Sequence, residues 1–249
     1  MNPAEYERMY ELEDGYWWFV SRRNLVMRLV HSLSLPPDAL IVDVGCGTGA
    51  TACELGKYGK VVCVDLSPIA LDLSGRRGLN QLMQASADAL PIADNSADLI
   101  VALDLLEHMD NDVKGLREFR RVLKPHGSLI VTVPAFSFLW SEHDEALMHQ
   151  RRYSLREITH RIRRAGLKVE IANYALFFLF PIAVVMRLLK RKSDPKDPPE
   201  TNLRPLPSLI NSGLVLLQQM ESALARLLPL PWGLSAVVVA AKPDAQTGK

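Results

Sequence analysis

The chain has 249 residues, 48% of them hydrophobic, with 29 Lys and Arg against 28 Asp and Glu. Its length suits one large domain or one domain with an elaboration, and its apolar content excludes global disorder. A formal net charge of +1 argues against a protein whose main partner is a long phosphate backbone, so no nucleic-acid role is expected. Cys46, Cys53 and Cys63 are too few and too clustered for a disulfide framework, and no CxxC occurs, which points to the reducing cytoplasm.

In chain order, residues 1–37 read as a helical N-terminal lid. The opening MNPAEYERMYELEDG is polar and net acidic, unlike a secretory leader. Tyr16-Trp17-Trp18-Phe19 is followed by Arg22-Arg23. Such a cluster suits a lid over a site, a membrane interface or a helix docked on a sheet. Residues 39–44, 61–66, 97–103 and 128–133 are near-continuous apolar runs of the kind buried on both faces of a parallel sheet. Weaker strand patterns lie at 82–85, 168–174 and 236–241. Between them, 112–123 places Val113, Leu116, Phe119, Val122 and Leu123 on one helical face, with Pro125 and Gly127 expected to end it. Ser154 and Glu157 form a capping box for a helix that closes at Gly166. About seven strands with helices between them predict a doubly wound α/β sheet.

Residues 175–235 break the alternation. An apolar run at 175–186 leads straight into Arg187, Lys190, Arg191 and Lys192. It is too short to span a bilayer, and Pro181 interrupts it. A Pro-rich charged linker covers 193–207. A second amphipathic helix is expected over 208–228, with Leu209, Ile210, Leu214, Leu217, Met220, Leu224 and Leu228 on its apolar side. The insertion fits either an interfacial segment with a basic rim or a cap buried on the domain or on a second subunit. The tail after the last strand is expected to fray.

The strongest chemical signal is DVGCGTG at 43–49, straight after the first strand. Closely spaced glycines let a turn approach a ligand, and the following helix presents its N–H groups to it. Gly45, Gly47 and Ala50 also fit the dinucleotide fingerprint, and Asp65 at the end of the second strand suits a ribose in either setting. The glycines alone leave both cofactors open.

The later segments separate them. With ADALPI at 87–92, DLIVALDLLEH at 98–108 and LKPHGSLIVTVP at 123–134, the chain resembles a class I S-adenosylmethionine-dependent methyltransferase of the small-molecule type 11 kind. The resemblance covers 38–174 and a final strand near 236–241. It implies a seven-stranded Rossmann-like sheet whose last strand is antiparallel and inserted between the fifth and sixth. It implies cofactor contacts from Asp43, Gly45, Cys46, Gly47 and Gly49, from Asp65 and Leu66 at the ribose, from Asp88 and Ala89 at the adenine, and from Asp104. Asp43 has the alternative role of bonding loop N–H groups.

Methyl transfer to a hydroxyl needs a base. His143 and His149, in the loop 136–153, and His108 are the candidates, beside Glu107, Asp144 and Glu145. Asp104-x-x-Glu107-His108 is distantly similar to the metal-assisted segment of the ubiquinone-pathway O-methyltransferases; no metal is assigned, although those three side chains could hold Mg²⁺ or Mn²⁺. Six arginines fall between 151 and 164, mostly a solvated face. Trp18 and Arg22 in the lid, with Arg151, Arg152 and Tyr153, are the candidate substrate contacts. The expected function is O-methylation of a small-molecule or lipid-linked acceptor. The expected location is cytoplasmic, with association to the membrane surface through 175–192. A nicotinamide-dependent oxidoreductase and a non-catalytic cofactor-binding regulator are the alternatives.

Overall fold

The computed structural model describes residues 3–189, 205–225 and 228–244. Lys190, Arg191 and Lys192, most of the 193–207 linker and the end of the tail lie outside the described residues.

Two helices open the fold, α1 (Pro3–Leu12) and α2 (Trp17–Ser32). Then come β1 (Leu40–Val44), α3 (Ala50–Leu55), β2 (Lys60–Asp65), α4 (Pro68–Arg76), β3 (Leu82–Gln84) and β4 (Ala97–Leu103). They are followed by α5 (Asp112–Val122), β5 (Leu123–Pro134), α6 (Glu142–Ala146), α7 (Leu155–Arg164) and β6 (Lys168–Ala175). The insertion contributes α8 (Phe180–Leu189) and α9 (Ser208–Leu224) before β7 (Ser235–Ala241).

The sheet runs β3-β2-β1-β4-β5-β7-β6. Its first five strands are parallel, and β7 pairs antiparallel with both β5 and β6. This is the expected seven-stranded order. Successive side chains alternate between faces, so β1 feeds two cores. Val42 and Val44 pack with Leu116, Phe119 and Val122 of α5 and with Ile158 and Ile162 of α7. Ile41 packs on the opposite face with Val26 and Val30 of α2 and Leu55 of α3. Each fully buried valine or isoleucine contributes about 1.5–3 kcal/mol, which is what fixes α2 on the sheet.

Three expectations change. The helix over 112–123 ends at Val122. Pro125 and Gly127 do not terminate it, because they already lie in β5, where the pairing with β4 jumps from Leu123 opposite Ala97 to Ser128 opposite Leu99. The surplus residues of β5 loop out there, with His126 at φ 64°.

In the insertion, the expected apolar side of α9 is only partly buried: Leu214, Leu217 and Leu224 are half-buried and Leu209, Ile210 and Met220 exposed, whereas Gln218 and Glu221 are fully buried. The reason is polar docking. Glu221 accepts from the N–H groups of Leu176 (2.6 Å) and Phe178 (3.1 Å), just after β6. Asn211 accepts from Trp17 N (2.8 Å) and donates to Gly15 O (2.9 Å), and Arg28 donates to Gln219 O (3.2 Å). The insertion therefore packs on the N-terminal helices.

Finally, Tyr153 is a core residue. Its hydroxyl lies 2.7 Å from Asp112 Oδ2 and 3.1 Å from Leu106 O. Arg161 donates to Asp112 Oδ1 at 2.7 Å. Tyr153→Phe removes one partner of a buried carboxylate and is expected to cost about 1–3 kcal/mol. Urea denaturation checks this; an unchanged midpoint and slope would show the hydroxyl to be idle.

Candidate active site

The carboxyl ends of β1 and β4 diverge at the point where the strand order reverses, and a cavity of about 740 Å³ opens there beneath α1 and α2. Open α/β sheets bind ligands at such switch points. The N–H groups of Gly45 and Cys46 both bond Val64 O, which turns the loop after β1 toward β2. Gly47 (φ 56°) and Gly49 (φ 88°) follow in the left-handed region that favours glycine. Their roles differ. Gly47 lines the cavity, and a Cβ there would meet Met9 Cε of α1 at 2.9 Å. Gly49 does not line it; a Cβ there would meet Leu79 Cδ1 at 2.7 Å and Ser74 Oγ at 2.8 Å, so it serves close packing of α3 against α4.

Asp65 ends β2 at the cavity wall. It accepts from Gly47 N (3.0 Å) and Ser67 N (2.9 Å). Burial pushes its pKa up, and those two N–H groups pull against the shift. A carboxylate can accept about four hydrogen bonds, so capacity remains for a ligand. Leu66 stands exposed beside it. Asp88 also lines the cavity and takes Ser86 Oγ (2.6 Å) and Lys114 Nζ (2.8 Å), which hold its carboxyl below the usual range. Ala89 does not reach the cavity; its N–H closes the turn onto Ser86 O. Asp43 is buried with Oδ2 unpartnered, and burial raises its pKa to about 7 against the pull of Arg22. It lines the cavity beside the turn, with a buried oxygen left unpartnered.

The lid crosses this end. Arg22 of α2 pairs with Asp104 at the end of β4, and Thr132 Oγ1 donates to Asp104 Oδ1 at 2.9 Å. Asp104 sits at φ 49°, a strained setting of the kind that clusters at functional sites. Trp18 lines the cavity from the same helix. Arg77 ties the lid down: it donates to Thr48 O (2.9 Å), to both carboxylate oxygens of Asp14 (2.9 Å) and to Tyr10 O (3.2 Å). Tyr6 and Met9 of α1 also reach the cavity, which the sequence did not signal. Isolated residues on a short polar helix carry no pattern that says what they face.

The far end is built by histidines. His108, His143 and His149 converge on the cavity although they come from two separate loops. His149 Nδ1 lies 3.0 Å from Asp144 Oδ1, and the His108 ring stands edge-on to the His149 ring at 4.8 Å. Burial opposes ionisation of Asp144, but hydrogen bonds from His149 and Arg152 outweigh it and hold the carboxyl below the usual range. Burial and the neighbouring His149 push His108 down to about 4, and burial also lowers His143. Glu107 is fully buried, neither of its carboxylate oxygens has a hydrogen-bond partner, and burial drives its pKa well up.

Three expected substrate contacts are placed differently. Arg152 reaches the cavity, but its guanidinium is spent on Asp144 (2.7 and 3.0 Å) and Ala135 O (3.1 Å). Arg151 donates to Asp110 O and Gln150 Oε1 and does not line the cavity, nor does Tyr153. Arg151 and Tyr153 instead face Asp112 of α5.

Residues 42–131 match the methyltransferase-domain family model. The chain is 32% identical over 113 residues to demethylmenaquinone methyltransferase of Corynebacterium kroppenstedtii, covering 43% of this chain and 49% of that one. Matches to such curated relatives span from 21% to 61% of their lengths. Among solved structures, a chain of the Haloferax volcanii complex between the Trm112 methyltransferase activator and a methyltransferase superposes with a TM-score of 0.65, at 19% identity, covering 98% of this chain and 97% of that one. Phosphoethanolamine N-methyltransferase 2 of Haemonchus contortus, in complex with S-adenosyl-L-methionine, gives 0.58 at 18% identity, over 89% of this chain and 52% of that one. The glycine turn between β1 and α3, the acid at the end of β2 and the switch point in the strand order thus lie within or beside a segment, residues 42–131, that matches the methyltransferase domain.

Proposed function

We propose that the chain transfers a methyl group from S-adenosylmethionine to an oxygen of an apolar, small-molecule or lipid-linked acceptor. One observation carries this reading: a single cavity joins the glycine turn and Asp65 at one end to His108, His143 and His149 at the other. The charge of its wall fits the cofactor. Asp43, Asp65, Asp104 and Glu107 all face it, and Asp43 and Glu107 keep buried oxygens without partners. Such a wall favours a sulfonium and an ammonium.

When bound, S-adenosylmethionine supplies a methyl group activated on a sulfonium. The chain's own residues do the rest. Asp65 has acceptor capacity for ribose hydroxyls, and Leu66 offers an apolar surface beside it. The helices α1 and α2 shield the cavity from water. His143 is the base that accepts the acceptor's proton: burial keeps it neutral near pH 7, whereas Nδ1 of His149 is occupied by Asp144. For the acceptor, α8 supplies the route. Ala183 and Arg187 face the cavity, while Ile182, Val185, Met186, Leu188 and Leu189 are exposed on the same helix. An apolar rim at the mouth lowers the barrier for a greasy molecule leaving a bilayer. Among the described residues no helix is long and apolar enough to cross a membrane.

Calorimetric titration with S-adenosylmethionine, S-adenosylhomocysteine and NAD(H) tests the cofactor reading; micromolar binding of the two adenosyl ligands alone is expected, and binding of NAD(H) alone overturns it. In the same assay Asp65→Ala is expected to weaken binding by about tenfold to a hundredfold, from the loss of hydrogen bonds to a charged group. His143→Ala is expected to lower kcat by roughly 10²–10⁴ while cofactor affinity stays the same; an unchanged kcat with an acceptor in hand would remove His143 as the base. Vesicle flotation of the Leu188→Glu, Leu189→Glu double variant is expected to show less lipid-bound protein than the parent. Equal partition would sink the membrane route.

A further inference from the structure

Glu107, His108 and His149 stand together at the inner end of the cavity, and their nearest ligand-type atoms all lie within 4.8 Å of one another. Glu107 and His108 come from the turn after β4, and His149 comes from the loop after β5. Sequence spacing groups Asp104 with Glu107 and His108, but the fold gives Asp104 to Arg22 and Thr132 and puts His149 in its place. Resting on the reading of this cavity as a methyl-transfer site, we propose that Glu107, His108 and His149 bind a divalent transition-metal ion, zinc or a metal of similar ligand preference, with the remaining coordination positions open toward the acceptor.

Three independent features carry the assignment. First, Glu107 is fully buried and both of its oxygens lack hydrogen-bond partners while facing the cavity. A buried carboxylate left unpaired is costly, and a cation against it removes that cost. Second, the donor set is two imidazoles and one carboxylate, the composition of open catalytic zinc sites and of other two-histidine, one-carboxylate metal centres. Third, the outer partners are already in place. His149 Nδ1 lies 3.0 Å from Asp144 Oδ1, which turns Nε2 to the other side of the ring, 3.9 Å from Glu107 Oε1. Arg152 and the Ser141 N–H in turn hold Asp144. Metal-ligating histidines are oriented by carboxylates in this way. Bonds of about 2.0–2.2 Å to a shared ion bring such donors to within roughly 3.5 Å, so side-chain shifts of about an ångström complete the set.

The test uses full-length protein stripped with a chelator and dialysed. Zn²⁺ is titrated by calorimetry, Co²⁺ is followed by its visible absorption, and S-adenosylhomocysteine is titrated into the same samples. One equivalent of Zn²⁺ is expected, with Co²⁺ bands of nitrogen and oxygen ligation and no thiolate charge-transfer band. Glu107→Gln and His149→Ala are expected to lose tight Zn²⁺ binding by a factor of a hundred or more. Asp144→Asn, which leaves all three ligands in place, is expected to weaken it about 10–100-fold. Retained S-adenosylhomocysteine binding shows that a variant is folded. No stoichiometric metal binding by the parent, a thiolate-type spectrum, or equal affinity in folded Glu107→Gln and His149→Ala overturns the metal site. If S-adenosylhomocysteine binds in those same samples, only the metal assignment falls; if the parent binds neither, the reading of the cavity falls with it.

Discussion

The structure depends on β1 and β4 lying side by side, parallel and buried on both faces. Ile41 pairs with Leu99, Val42 with Ile100 and Asp43 with Val101. The chain departs from these two strands in opposite directions, toward β2 on one side and β5 on the other. Their carboxyl ends therefore have no crossover helix between them, and a crevice is forced to form. Into it the strand ends deliver Asp43 and Asp104, both directly after core residues that allow no slippage. A one-residue shift in register would turn each apolar side chain of β1 to the wrong face. The placement of the acids is a by-product of hydrophobic register.

Charge is the second constraint. The crevice gathers more carboxylates than it can pair internally. Arg22 serves Asp104, Lys114 serves Asp88, and backbone N–H groups serve Asp65. Asp43 Oδ2 and both oxygens of Glu107 remain without partners. Buried polar groups are nearly always satisfied, and each that is not calls for an explanation such as strain, a catalytic role, or a water or ion beside it. One unpaired acid lies by the glycine turn and the other lies among the histidines.

Beyond the apolar seat of α2 on the sheet, polar contacts hold α1 and the insertion. Asn211, Glu221 and Arg28 tie the insertion to the body and to α2, and Arg77 ties α1 to the glycine turn. Directional bonds to backbone groups fix geometry without consuming apolar surface. That leaves the apolar side chains of α8 and part of α9 facing outward, an arrangement monomeric proteins rarely keep without a use.

The sequence by itself determined the strands, their parallel core, the glycine turn and the capping box at Ser154, because each rests on a local rule: apolar run length, left-handed backbone at glycine, or a side chain capping a helix three residues on. It also determined the cofactor class, since several such motifs occur in a fixed order. Only the tertiary structure decided what long-range pairing controls. Pro125 and Gly127 became part of a strand because β4 supplied a partner. Tyr153 became core and Arg152 became the clamp on Asp144, because the loop after β5 folds back on itself. The helix over 208–224 buried Glu221, because the backbone N–H groups of Leu176 and Phe178 just after β6 needed an acceptor. His149 reached Glu107 and His108 from some forty residues away in sequence. No local rule reaches that far: such a meeting is fixed by the closure of the sheet, and its energy comes from burial of the whole domain.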